Sequence, residues 1–127
     1  MPVRSLDSSV RKWPDPDTVL EGTRQWASHL AESQLTVLAI GLFGSYGRGD
    51  PGVGSDLDII ILVREDERPF HRRFVGAPEE LPLPADVLVY TQEEWRDLHQ
   101  RGGRFSETIR RETRWLHGTD PYDEASH

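Results

Sequence analysis

The chain contains no cysteine, so disulfides and thiolate metal sites are excluded. No apolar run approaches the ~20 residues needed to span a bilayer. The opening MPVRSLDSSVRKWPDPD lacks the apolar core of a signal peptide, and a cytoplasmic location is the default expectation. Positive charge is in short supply: 15 Lys and Arg stand against 22 Asp and Glu, for a net charge of −7. A general nucleic-acid-binding surface would be basic, so that class is disfavoured, while a small charged substrate in one cleft is not. Lysine is nearly absent, Lys12 being the only one, and nothing functional follows from it. No internal repeat is present, and 127 residues suffice for one domain with a core but not for two.

What is present reads as alternating helices and buried strands. Residues 1–14 are expected to be a flexible arm. In DPDTVLEGTRQWASHLAES, Asp15 suits an N-cap and Pro16 the first helical position. Val19, Trp26 and Leu30 form one apolar stripe, with Leu20 and Ala27 beside it. LTVLAIGLF is a continuous apolar run of strand length, suited to a strand covered on both faces. A glycine-rich connection leads to a second such strand, LDIIILV. Residues 64–84 read as irregular and rich in proline, with a helical turn around Phe70 to Phe74. ADVLVY is a third strand. Thr91 to Glu94 is a capping box, with Tyr90 and Trp95 placed as a hydrophobic staple for a helix ending near Gly102. FSETIRRETRWL is expected to be helical, with Phe105, Ile109 and Leu116 roughly on one face and Gly118 as its stop; the tail 119–127 should be loose. Helix, strand, strand, strand, helix, helix implies an α/β or α+β sandwich over residues 15–118, with a sheet of three or more strands.

Several motif matches in the stretch from Gly41 to Val63 fail on context. Gly47, Gly49 and Gly52 spell G-x-G-x-x-G, but Pro51 interrupts and a strand, not a helix, follows. No G-K-[ST] is present for a P-loop. Arg48-Gly49-Asp50 as an adhesion triplet is an accident of composition. Asp50, Asp56 and Asp58 lack the spacing of an EF-hand.

Asp56 and Asp58 are different. In a strand, residues i and i+2 share a face, so two carboxylates project together roughly 6–7 Å apart at the backbone. Like charges this close repel unless a cation sits between them, and hard oxygen ligands suit Mg²⁺ or Mn²⁺. Two solvated acids at a strand entrance are common, but these lead straight into Ile59-Ile60-Ile61-Leu62-Val63, which places them at a cleft edge. Asp86 opens the third strand as Asp58 opens the second. If those strands are parallel neighbours, which a connection of a dozen or more residues permits, three carboxylates converge. Three acids can hold two metal ions for in-line phosphoryl or nucleotidyl transfer. Gly44 allows close backbone approach, and the Ser45 hydroxyl with the N–H groups of a short helix or turn forms an anion cradle for a triphosphate. Arg48 and Ser55 join Gly44 and Ser45 as candidate nucleotide contacts, although a surface ion pair is the plainer reading of Arg48.

Gly44-Ser45, ten residues from Tyr46 to Ser55, then Asp56-Leu57-Asp58, with Asp86 at a later strand start, resembles the polymerase-β-like nucleotidyltransferase superfamily. Within it the pattern is similar to the minimal nucleotidyltransferase (MNT) family, over roughly residues 18–118. The resemblance implies a mixed sheet backed by helices and transfer of a nucleoside monophosphate from an NTP, with pyrophosphate leaving; AMP from ATP is the expected case. It implies that Asp56 and Asp58 ligate both metals, and that Asp86 binds the catalytic metal and helps deprotonate the attacking hydroxyl. It assigns Gly44 and Ser45 to the β- and γ-phosphates. The proline-rich segment 65–84 departs from the family pattern and bears on the register of Asp86.

Larger relatives carry extra acceptor-binding domains, which are not seen in this sequence; many minimal members are similar to antitoxins that transfer AMP to a tyrosine of a HEPN-type ribonuclease toxin. A protein partner as acceptor is therefore the leading expectation. The alternatives are a small-molecule acceptor such as an aminoglycoside, an RNA end, or an antitoxin acting by docking alone. A DxD glycosyltransferase would need a longer chain and leaves Gly44-Ser45 unexplained. Trp26, Trp95 and Trp115 read as packing residues, and the histidines lack metal-ligand spacing.

Overall fold

The computed structural model describes residues 15–50, 56–68 and 78–118. The expected arm and tail, Ser55, and the helical turn around Phe70 to Phe74 lie outside the described residues.

Helix α1 spans Pro16–Ser33. Asp15 Oδ2 accepts the N–H groups of Asp17 at 3.0 Å and Thr18 at 3.3 Å, satisfying two donors that the first turn leaves open. Val19, Trp26, Ala27 and Leu30 are buried, and so is Thr23. The Thr23 hydroxyl donates to the Val19 carbonyl at 2.8 Å, which lets a polar side chain sit in the apolar stripe.

Four strands form one mixed sheet: β1 (Val37–Phe43), β2 (Leu57–Val63), β3 (Ala85–Thr91) and β4 (Arg114–His117), in the order β3-β2-β1-β4. β1 runs antiparallel to β2 and to β4, and β2 runs parallel to β3. The two central strands are buried along almost their whole length, as continuous apolar runs predict. On one face Leu57, Ile59, Ile61 and Val63 pack with Ile40, Leu42 and the buried stripe of α1. On the other, Ala39, Ile60 and Leu62 pack with Trp95 and Ile109. Those last two come from α3 (Gln92–Arg101) and α4 (Arg104–Glu112). A five-residue helix α2 (Gly44–Arg48) follows β1 directly, and a 3₁₀ turn at Pro78–Glu80 precedes β3. Among the described residues no helix is long and apolar enough to cross a membrane.

The capping box on α3 forms as its sequence requires. The Thr91 N–H donates to Glu94 Oε1 at 3.0 Å, and the Glu94 N–H donates to Thr91 Oγ1 at 3.1 Å. The rings of Tyr90 and Trp95 lie 5.6 Å apart, the expected staple.

One element differs from the sequence reading. The final helix ends at Glu112, and Arg114–His117 is a fourth strand rather than its continuation. Leu116 accordingly packs with the α1 face of the sheet, while Phe105 is largely exposed. Gly118 stops no helix. It sits with φ +69° at the end of β4, where a Cβ would collide with the Leu38 carbonyl oxygen. The cause is tertiary: β1 has an open edge, and Gly41 in its centre leaves a gap. A Cβ on Gly41 would lie 2.6 Å from Thr113 Cγ2 and 2.9 Å from the Trp115 ring. The hydrogen bonds that β4 gains on that edge, and the partial burial of the Trp115 indole there, outweigh the helical pattern.

Candidate active site

The carboxylates expected to converge stand at the starts of β2 and β3. Asp58 is paired in parallel register with Asp86, which puts their backbones about 4.8 Å apart. Asp56 immediately precedes β2, two residues before Asp58. The Leu57 N–H donates to the Pro84 carbonyl at 3.0 Å and fastens the two strand starts together. The proline-rich connection therefore leaves Asp86 in register. By strand alternation Asp58 shares a face with Ile60 and Leu62, and Asp86 with Leu88 and Tyr90. Both acids thus continue, beyond the apolar packing, the face covered by α3 and α4.

The electrostatics of Asp58 record this crowding. Its carboxyl is raised above the ordinary 3.8, first by partial burial, then by the charges of Asp86 and Asp56; Arg48 opposes the shift. Among the described residues no three acids or histidines are drawn together into a ready-made metal cage. The donor chemistry nevertheless fits a hard divalent cation: three carboxylates on two adjoining strand starts, with no softer ligand among them.

Gly44 joins the sheet to α2 and lies against this edge. Its φ is +72°, and a Cβ there would collide with Asp58 Oδ2 and lie 3.2 Å from Asp58 Cγ. Glycine is thus required twice, for the backbone angle and for the approach. The residue before α2 is Phe43, which supplies no side-chain cap. The first-turn N–H groups at Gly44 and Ser45 therefore have no side-chain acceptor from the cap position, unlike those of α1 and α3. At the other end the N–H groups of Gly49 and Asp50 both donate to the Ser45 carbonyl at 3.0 Å, with Gly49 at φ +88°.

Arg48, the last residue of α2, donates from Nε to Asp50 Oδ1 and from Nη1 to Glu112 Oε1, each at 3.2 Å. The Glu112 bond leads the causes that raise its pKa. The plain surface-pair reading of Arg48 therefore describes its contacts, yet its charge also reaches Asp58. Gly44, Ser45, Arg48, Asp56, Asp58 and Asp86 are thus brought to one end of the sheet, and Ser55 lies outside the described residues. Sequence reasoning missed Glu112, which stands 64 positions from Arg48 with no local motif to mark it. The histidines keep their bland reading where they are described: His99 is buried, with Nδ1 2.9 Å from Ser106 Oγ.

Comparison with known proteins supplies a family. A model described as a nucleotidyltransferase domain matches residues 24–116. No curated protein matches the chain. A Sulfolobus solfataricus structure described as a candidate nucleotidyltransferase superposes with a TM-score of 0.53 at 17% identity, covering 90% of each chain. A toxin–antitoxin structure with AMP-PNP gives 0.47 at 20% identity, covering 80% of this chain and 78% of that one. A mutant of the toxin–antitoxin MntA-HpeT gives 0.47 at 16%, covering 88% and 80%.

Proposed function

The chain belongs to the nucleotidyltransferase domain family, and from that premise we propose that it transfers AMP from ATP to a hydroxyl on a protein partner, with a divalent metal. The observation that carries this reading is the parallel register of Asp58 with Asp86, with Asp56 two residues before Asp58. It is the arrangement that three-carboxylate nucleotidyl transfer needs.

Each residue has a role in the proposal. Asp56 and Asp58 hold the metal ions, Mg²⁺ or Mn²⁺, and Asp86 completes the site of the catalytic one. When bound, the metal supplies positive charge to the triphosphate and lowers the pKa of a coordinated hydroxyl. Gly44 and Ser45 offer the first-turn N–H groups of α2 and the Ser45 hydroxyl to the β- and γ-phosphates. Arg48 adds a cation beside them. Asp86 accepts the proton of the attacking hydroxyl. The acceptor oxygen bonds to the α-phosphorus, the bond from that phosphorus to the bridging oxygen breaks, and the electron pair leaves with pyrophosphate. Little covalent chemistry falls to the protein, and its work is placement and charge.

The proposed acceptor is a tyrosine hydroxyl of a HEPN-type ribonuclease toxin. The G-S-x₁₀-D-x-D motif is that of the minimal nucleotidyltransferases, many of which are similar to such antitoxins. The test is incubation of the protein with Mg²⁺ and each α-labelled NTP beside host lysate and a co-expressed HEPN partner. The expected result is one labelled protein, with ATP only, and no label with Asp58→Asn. Undiminished labelling by Asp58→Asn would overturn the catalytic assignment. Label confined to a small molecule or RNA would overturn the acceptor.

A further inference from the structure

Helix α2 is gripped at both ends. Gly44 lies against Asp58, and Gly47 is packed so closely that a Cβ would collide with the backbone oxygens of Glu112 and Leu42. Its last side chain, Arg48, is then held by two acids. Asp50 is the looser of them, with its side chain 67% exposed, whereas Glu112 is only 16% exposed and closes α4. A guanidinium has five N–H donors in a fixed plane. One bond to Glu112 and one to Asp50 set that plane, and the remaining donors are open to a further oxygen. Arg48 is 44% exposed and stands four residues after Gly44, one turn along α2, and Gly44 lies against Asp58, so the open donors stand near the carboxylate edge.

We propose that Glu112 is a positioning residue for nucleotide binding: it holds the Arg48 guanidinium in the orientation that presents its remaining N–H donors to phosphate oxygens of the incoming triphosphate. The inference rests on the nucleotidyltransferase reading and adds to it a residue that touches neither metal nor substrate. Lysine could not replace Arg48 here, because a single ammonium cannot be locked by one carboxylate and still offer a planar fork.

The test is a double-mutant cycle on the affinity of the full chain for α,β-methylene-ATP with Mg²⁺, measured by calorimetry. Arg48→Ala should weaken binding about tenfold or more, as loss of charge-assisted hydrogen bonds does. Glu112→Gln should weaken it about threefold, since it loosens the arginine without removing it. Glu112→Asp should retain most of the affinity. In the Arg48→Ala background, Glu112→Gln should have no further effect. Wild-type affinity in Glu112→Gln with a lowered Tm would show a mere staple between α2 and α4 and overturn the proposal. So would an equal loss with and without Arg48. If the wild-type chain binds no analogue, the nucleotidyltransferase reading falls and this inference with it; if it binds and Glu112→Gln is silent, only this inference falls.

Discussion

At Gly44 one missing methyl decides two things. The backbone there is left-handed, and the space beside it is filled by the Asp58 carboxylate. Gly44→Ala therefore has no relaxed solution. The backbone strain alone should cost about 1–2 kcal/mol, and relief of the collision must move Asp58. Transfer activity should fall at least about 100-fold, since misplacement by an ångström costs that much, while circular dichroism still reports a folded chain. Asp58 itself gives a second prediction through its raised pKa, caused first by burial and then by Asp86 and Asp56. A carboxyl whose folded pKa lies above its unfolded value stabilises the fold in full below the unfolded value, here the ordinary 3.8. That contribution is lost as pH rises through the folded value. In chelator at neutral pH, ionised Asp58 is thus a burden, and Asp58→Asn should raise Tm while abolishing transfer. On lowering the pH into the acid range, the wild type should close that gap. A Tm for Asp58→Asn below wild type at neutral pH would contradict the crowding of charge described here. These residues were legible in the sequence because each carries its own local rule. A glycine before a serine, two acids at strand spacing and an acid at a strand start are patterns of a few positions. Glu112 was not legible, since its partner is far away in the chain and a glutamate at a helix end is otherwise unremarked.

Among the elements, two helices with a start signal and three strands with a long apolar run were readable, and the last strand, which has neither, was not. α1 announces itself with Asp15-Pro16 and α3 with Thr91 and Glu94, and both caps form. β4 has no such punctuation. Glu112-Thr113-Arg114-Trp115-Leu116 contains no glycine or proline, and its apolar spacing continues that of α4. Only the gap at Gly41 and the open edge of β1 reveal a strand there, and both are tertiary. A substitution at that gap tests the account. Gly41→Val should collide with Thr113 and the Trp115 ring and destabilise the fold by about 1–3 kcal/mol, the range for overpacking. Trp115→Ala removes half of the collision. The double variant Gly41→Val/Trp115→Ala should therefore be more stable than the sum of the single effects predicts, measured by denaturant unfolding. Strict additivity would mean that the two residues do not meet.

For the molecule as a whole, net charge and site chemistry pull in opposite directions until a cation is present. The chain carries −7, three of its acids stand at one end of the sheet, and the proposed substrate is itself a polyanion. Asp58 already registers repulsion from its two neighbours. A triphosphate alone adds to this, so ATP in chelator should leave Tm unchanged. Mg²⁺ alone relieves some of the crowding and should raise Tm slightly. The two together should act cooperatively, because each reduces the charge cost of admitting the other. A ligand that binds only the folded chain stabilises it by about 2.7 kcal/mol at 100 times its Kd, which for a chain of this size is a rise of several degrees. The same titration in Asp56→Asn and Asp58→Asn separates a metal site from general screening. Both variants should lose the joint Mg²⁺–ATP shift, although each has a lower negative charge and would bind a free anion better. Sodium chloride at matched ionic strength should not reproduce the shift in any of the three proteins. If ATP in chelator raised Tm as much as ATP with Mg²⁺, the three carboxylates would not be a metal grip, and the assignment of Asp56, Asp58 and Asp86 would fail together.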